Sequence, residues 1–238
     1  MKLVFLSDIH ANLTAFQAVV DVIKCYKDAK VYVLGDIIDY GLRPNETIEL
    51  LKTLKPAVVL EGNHENALLN KTYERFSEDR GREMSRYTET ILSQKALFYI
   101  KKLSGKAEME LRISGKRVLL IHGSIEDRYW GKIDEKVNAE SYQEYDVVIS
   151  GHTHKRHYIE KYYACSNAET RNRQKVVFIN PGSVGQPRNL NPLAQFVMCD
   201  EDLTNWEFRE VCYDISAETV LYKGQVDDFY KKRLLIGV

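Results

Sequence analysis

The chain is built from short apolar runs, and the same few polar residue types end each run. The runs and the residues that follow them read LVFLSDIH, VYVLGD, VVLEGNH, VLLIHG and VVISGHTH. A continuous run of Val, Ile and Leu is typical of a strand that is buried on both faces. Ligands of open α/β sheets collect outside the carboxyl ends of such strands. The pattern therefore predicts that Asp, Asn and His side chains from several strands meet at one edge.

Between the first predicted strands, the apolar residues recur at helical spacing. This spacing predicts a helix over 13–26, and Pro44 marks the start of a second helix over 45–54. Residues 66–102 are rich in charge and lack strand signals, and their broken helical stripe predicts two helices that pack as a cap over one rim. A last helix is predicted over 227–235.

The second half of the chain is dominated by strand signals, and the predicted fold class is α/β. The predicted strands cover 3–6, 31–34, 57–60, 107–113, 117–121, 147–149, 157–164, 175–179, 194–199 and 206–213. The last four are expected to complete a second sheet. With no repeat and no low-complexity linker, the economical architecture is one domain over 1–238: a two-sheet β-sandwich core flanked by helices.

The composition favours a globular protein and excludes several other classes. The 238 residues are 44% hydrophobic, enough for a substantial core, and 34 basic residues balance 34 acidic ones, so bulk nucleic-acid binding is not indicated. The four cysteines form no CxxC pair, which favours reduced thiols and a cytoplasmic location. No apolar run is long enough for a secretory signal or a membrane span, so neither is expected.

The polar residues at the strand ends have the chemistry of metal ligands. Asp8 and His10 are two residues apart, as are His152 and His154, and on an extended segment this spacing directs both side chains to one face. Asp36 offers two oxygens, and we expect it to bridge two cations by giving one oxygen to each. Oxygen and nitrogen donors without sulfur suit Mn, Fe, Co or Zn better than Ca, Cu(I) or an iron–sulfur cluster. We expect Mn²⁺, with Fe, Co, Ni or Zn as alternatives.

The segments SDIHANL, GDIIDYG, GNHE, IHGS, GHTH and NPGSVGQPR resemble, in order and context, the motifs of the calcineurin-like metallophosphoesterases. The GSVGQPR loop is most similar to the small prokaryotic phosphodiesterase branch. The resemblance covers nearly the whole chain and implies a four-layer fold with two divalent metal ions. It implies that the first ion is held by Asp8, His10, Asp36 and His154, and the second by Asp36, Asn63, His122 and His152.

The same resemblance implies the hydrolysis of phosphate esters, most of all phosphodiesters. Two ions activate a water and neutralise the phosphoryl oxygens, and His64, free of metal, assists the leaving group. A phosphomonoesterase or phosphoprotein phosphatase with the same metal pair is the enzymatic alternative. A scaffold without turnover is a third reading, but it should lack a ligand or His64, and this chain has them all.

The expected substrate is a small phosphate ester, with nucleotides among the candidates. Asn12 and Arg188 are candidates for contact with its phosphate, although Asn12 is equally suited to cap the following helix. Glu65 stands where an Asp is common in the family. If that carboxylate orients His64, its extra methylene changes the reach and puts catalytic efficiency in doubt. Asp39 is expected to support the loop or the ligands.

Overall fold

The computed structural model describes residues 1–238, which contain ten strands in two sheets. The strands are β1 (Lys2–Leu6), β2 (Lys30–Val33), β3 (Val58–Val59), β4 (Glu108–Ile113), β5 (Lys116–Ile121), β6 (Val147–Ser150), β7 (His157–Ala164), β8 (Arg173–Asn180), β9 (Ala194–Asp200) and β10 (Glu207–Val211). The first sheet has the order β10-β9-β1-β2-β3, and the second has the order β4-β5-β6-β8-β7.

Seven α-helices accompany the sheets. They are α1 (Leu13–Lys24), α2 (Pro44–Thr53), α3 (Asn63–Asn70), α4 (Asp79–Ile91), α5 (Gln94–Lys101), α6 (Ile215–Thr219) and α7 (Asp228–Ile236). Pro44 occupies the first turn of α2, where its missing N–H leaves no intrahelical bond unmade. Helices α3 and α6 were not predicted, because each is short and carries little helical periodicity.

The α/β class and the two-sheet core are confirmed, but two strands belong to the other sheet. We expected 194–199 and 206–213 to complete the second sheet. Instead β9 pairs antiparallel with β1, and β10 pairs with β9, so both extend the first sheet. The strands themselves are visible in the local pattern, whereas the choice of sheet depends on pairing between residues almost 200 positions apart, which no local pattern encodes.

Alternation along each strand divides the core into layers. Val4 and Leu6 of β1 pack with α1, α2 and α5 in the largest apolar cluster. Leu3 and Phe5 point the other way and meet Val118, Leu120 and Ile149 of the second sheet. On the far side of the second sheet the cover is a 3-10 helix (Ala139–Tyr142) and its flanking loops. Sheet faces sheet, with helices outside the first sheet.

The segment 66–102 contains the end of α3 and the whole of α4 and α5. Ala96 and Ile100 of α5 lie in the largest apolar cluster, whereas Met84 of α4 packs with Tyr40 and with residues of α7. That residues 66–102 form a separate helical cap remains a prediction. None of the helices combines the length and apolar character needed to cross a lipid bilayer.

The packing between the sheets predicts that shortening a leucine side chain destabilises the protein more when the leucine is buried than when it is exposed. Leu120 is fully buried between the sheets, so Leu120→Ala is expected to lower the free energy of unfolding by about 2–5 kcal/mol. Leu190 is 79% exposed, and Leu190→Ala is the matched control, expected within about 0.5 kcal/mol of the parent. Urea denaturation measures both. Equal effects of the two substitutions would contradict the layer arrangement.

Candidate metal centre

One edge of the double sheet collects all the sequence-predicted ligands. Asp8, Asp36, His122 and His152 follow the carboxyl ends of β1, β2, β5 and β6, respectively. Asn63 and His64 instead open α3, directly after the loop that leaves β3. This edge is where parallel strands deliver their loops.

The structure gathers the ligand atoms into two groups. Asp8, His10, Asp36 and His154 form the first group, and Asp36, His122 and His152 form the second, with the donor atoms of each group within 4.8 Å of one another. The Asn63 Oδ1 lies 2.9 Å from both His122 Nε2 and His152 Nδ1, so Asn63 belongs with the second group.

Asp36 is shared by both groups, but through one oxygen rather than two. Its Oδ2 lies 3.7 Å from His10 Nε2 in the first group and 3.4 Å from His122 Nε2 in the second. Its Oδ1 accepts a hydrogen bond of 3.0 Å from the backbone N–H of His64. One oxygen of Asp36 for each cation stays a prediction, since Oδ1 already accepts one hydrogen bond from the backbone at the start of α3.

The hydrogen bonds of the first group show that it fits a cation. His10 Nδ1–H donates to the carbonyl of Ile38 at 2.9 Å, and His154 Nδ1–H donates to the carbonyl of Gln186 at 2.6 Å. A neutral imidazole carries one proton, so the two Nε2 atoms face each other at 3.0 Å with lone pairs only. Both buried oxygens of Asp8 also lack a hydrogen-bond partner. These nitrogen and oxygen atoms point at one another with lone pairs and no proton between them. A metal ion would bind such a set of atoms.

The pKa shifts of these side chains also favour a bound cation. Burial, and then the nearby charge of Asp36, raise the pKa of Asp8 to about 7. Burial holds the pKa of His10 and of His154 well below the usual value. At His122 burial acts in the same direction, but Asp36 outweighs it and raises the pKa of His122 to about 9. A nearby positive charge would stabilise the ionised form of these buried carboxylates, and divalent cations supply such charge.

The loops reach these positions through an unusual backbone. Asp8, His10, Asp36, His152 and His154 have φ values of 54°, 49°, 53°, 63° and 59°, respectively. The spacing of two residues therefore does not act through an extended segment, as we expected, but through left-handed turns. Each such residue costs about 1–3 kcal/mol, so the strain is concentrated where the ligands converge.

His64 lies beside the two groups and outside them. Its Nε2 is 3.9 Å from Asp36 Oδ2, and its Nδ1 is 2.7 Å from Asp39 Oδ2. Burial by itself lowers the pKa of His64, but Tyr40, Asp36 and Asp39 outweigh it and hold the pKa well above the usual value. Asp39 thus orients the imidazole and favours its charged form.

Glu65 does not contact the His64 ring through its carboxylate. Instead its two oxygens accept backbone N–H bonds of 2.8–3.1 Å from Asp36, Ile37, Ile38 and Gly62. Glu65 therefore fixes the Asp36 loop to the start of α3. The concern that its extra methylene changes the reach to His64 does not apply, because Asp39 fills that role.

The two candidate phosphate contacts differ in their surroundings. Asn12 caps α1 by accepting from the Ala15 N–H at 3.0 Å, and its amide donates to the carbonyl of Gly185 at 2.9 Å. It is buried and does not line the cavity, so the capping alternative fits this geometry. Arg188 does line the cavity, forms no ion pair, and its buried Nε has no hydrogen-bond partner.

A cavity of about 670 Å³ opens over the two groups. Several residues of its wall were not singled out from the sequence as site residues: Arg75, Phe76, Trp130, Lys132, Lys155 and His157. All of them except His157, which begins β7, lie outside the strands, and no spacing pattern marks them as parts of a site. His157 is half-buried there, and burial lowers its pKa to about 4.

The chain is similar to several known proteins in sequence and in structure. The chain is 29% identical to an uncharacterized protein of Methanocaldococcus jannaschii, over 98% of this chain and 96% of that one. It is 28% identical to the phosphodiesterase YfcE of Escherichia coli K12, over 85% of this chain and 89% of that one. A metallophosphoesterase structure from Sphaerobacter thermophilus superposes with a TM-score of 0.79 at 28% identity and full coverage of both chains.

A second structure, of a hypothetical protein from Pyrococcus horikoshii OT3, shares the fold with a TM-score of 0.82 at 21% identity, covering 100% of this chain and 98% of that one. The sequence model of the calcineurin-like phosphoesterase superfamily domain matches residues 1–202. All ten strands except β10 lie inside that match, as do all the residues of the two ligand groups. The chain belongs to the calcineurin-like phosphoesterase superfamily.

Proposed function

We propose that the protein hydrolyses phosphodiesters with two divalent metal ions, and that Mn²⁺ is the ion used. The observation that carries the proposal is the pair of ligand groups joined by Asp36 Oδ2, with His64 beside them. The similarity to the E. coli phosphodiesterase supports a diester rather than a monoester as the substrate.

The proposed ligands divide as the two groups do. Asp8, His10, Asp36 and His154 hold the first ion, and Asp36, Asn63, His122 and His152 hold the second. When bound, such a pair lowers the pKa of a water for attack on phosphorus and neutralises the phosphoryl oxygens. The carbonyls of Ile38, Gln186 and Leu34 accept the remaining ring protons of three of these histidines, which fixes each ring and presents its free nitrogen to the ion.

His64 is proposed to protonate the leaving oxygen. The Asp39 carboxylate receives Nδ1–H at 2.7 Å, so the proton available for transfer is on Nε2, on the side of the Asp36 oxygen shared by both groups. A positioned acid of this kind contributes about 10²–10⁴-fold to the rate. The arrangement needs no nucleophile from the protein itself.

The cavity wall supports an anionic substrate. Lys132, Lys155 and Arg188 line it without an ion-pair partner, whereas Asp134 is the one acidic residue of the wall outside the ligand groups. The chain as a whole has a formal charge of zero, so positive charge is concentrated at this opening. Such a concentration attracts phosphate esters toward the ligand groups.

Removal of the metal tests the proposal directly. Treatment with a chelator is expected to abolish hydrolysis of bis(p-nitrophenyl) phosphate, and Mn²⁺ is expected to restore it. In the restored enzyme kcat/KM for the diester should exceed that for p-nitrophenyl phosphate. The reverse preference would support the phosphomonoesterase alternative, and metal-loaded protein inert toward both esters would refute the enzymatic proposal.

Substitution of His64 separates proton transfer from metal binding. His64→Ala is expected to lower kcat by about 10²–10⁴-fold, while metal analysis still finds two ions per chain. Asp39→Asn should lower kcat less, because the imidazole remains and loses only its charged partner. A large loss of metal in the His64 variant would instead make His64 a ligand.

Substitution of the shared carboxylate should affect both ions together. Asp36→Asn removes the one charge that both groups use, so the metal content after dialysis is expected to fall at both sites rather than at one. Asp21 is an exposed carboxylate on α1, and Asp21→Asn is the matched control with unchanged metal content. Unaltered stoichiometry in the Asp36 variant would contradict the shared role.

A further inference from the structure

The cavity over the ligand groups is larger than a phosphate group requires. Its volume of about 670 Å³ lies in the range of about 300–1,000 Å³ that is typical of sites for whole small-molecule ligands. The remaining space must therefore accommodate the organic part of the ester, and the side chains around that space indicate what it is.

One side of this space is an aromatic wall made of Phe76 and Trp130. The Phe76 ring lies 4.9 Å from the His64 ring, and the Trp130 ring lies 5.2 Å from Phe76. Trp130 is also 6.0 Å from His152. The wall thus runs without a break from the proposed proton donor to the second ligand group.

Neighbouring polar residues hold the wall in place. The Arg75 guanidinium lies 5.2 Å from the Trp130 ring and pairs with Asp127 at 2.6 Å, and Asp127 also accepts the backbone N–H of Trp130 at 3.1 Å. Arg82 donates to the carbonyl of Phe76 at 3.0 Å and 3.2 Å. The two rings are therefore preorganised, which lowers the entropic cost of binding against them.

The position of His64 decides which part of the substrate meets this wall. If His64 protonates the leaving oxygen, the group attached to that oxygen lies on the side of His64, where Phe76 is. We propose that Trp130, supported by the nearly buried Phe76, binds a planar ring of the leaving group and that the substrates are esters of the nucleoside class. This inference rests on the proposed function, because it takes the side of the leaving group from the role of His64.

Binding of two ligands that differ only in the ring tests the inference. AMP and ribose 5-phosphate share the phosphate and the sugar, and only AMP carries a base on the ester-oxygen side. Stacking of a base on an aromatic side chain contributes about 1–3 kcal/mol. By calorimetric titration of the Mn²⁺-loaded protein, AMP is expected to bind at least about fivefold more tightly than ribose 5-phosphate.

The chain offers a matched pair of tryptophans. Trp130→Leu is expected to remove the preference for AMP while leaving the affinity for ribose 5-phosphate within about twofold, and Trp130→Phe should restore part of it. Trp206 packs with Phe5 beside the core between the sheets, so Trp206→Phe is the control that keeps the preference.

The outcomes separate this inference from the proposed function. Equal affinities in the parent protein, a preference that survives Trp130→Leu, or no binding of either ligand would each overturn the aromatic subsite. A preference that depends on Trp130 in a protein that hydrolyses no ester would support the subsite and refute the phosphodiesterase. Hydrolysis without a preference would do the opposite.

Discussion

The buried carboxylate of Asp36 is the constraint on which the edge of the sheet depends. Its Oδ2 faces nitrogens from loops that follow two different strands, and its Oδ1 is held by the start of α3. A buried carboxylate without compensation costs several kcal/mol, and here a second one, Asp8, lies in the same enclosure. The lone pairs of His10 and His154 face each other across that enclosure. The arrangement is consistent with a fold whose edge is completed by cations.

The backbone around Asp36 is strained, and other buried groups hold the strain in place. Left-handed residues cluster at this edge, including Asp8, His10 and Asp36. The Glu65 carboxylate accepts three backbone N–H bonds from the Asp36 loop and a fourth from Gly62, and Ser183 secures the loop after β1 by donating to the carbonyl of Asp8 at 2.7 Å. Gly62 and Gly185 permit the close approach, because a Cβ would lie 2.1 Å from Asp36 Oδ1 at the first and 1.9 Å from the carbonyl oxygen of Ile9 at the second. Strain of this kind persists only where surrounding contacts over-determine it.

Most of the candidate ligands could be predicted from the sequence because they stand within four residues of the end of a recognisable strand. His122 and His152 are examples, since the apolar runs before them locate both the strand and its end. Three features were not accessible in this way. The choice of sheet for β9 depends on a pairing with β1 that spans almost the whole chain. The partner of His64 is Asp39 rather than Glu65, which depends on side-chain directions at a left-handed turn. The aromatic wall comes from loops whose residues have no periodicity to interpret.

The candidate ligands and the aromatic wall are held in place by different hydrogen bonds. The rings of the candidate ligands His10 and His154 are held by the carbonyls of Ile38 and Gln186. The aromatic wall is held by a different set, Arg75 with Asp127 and Arg82 with the Phe76 carbonyl. Neither set contributes a hydrogen bond to the other. Because the wall itself touches His64 and His152, substitutions of Phe76 or Trp130 are expected to couple to substitutions at the candidate metal centre rather than to add independently.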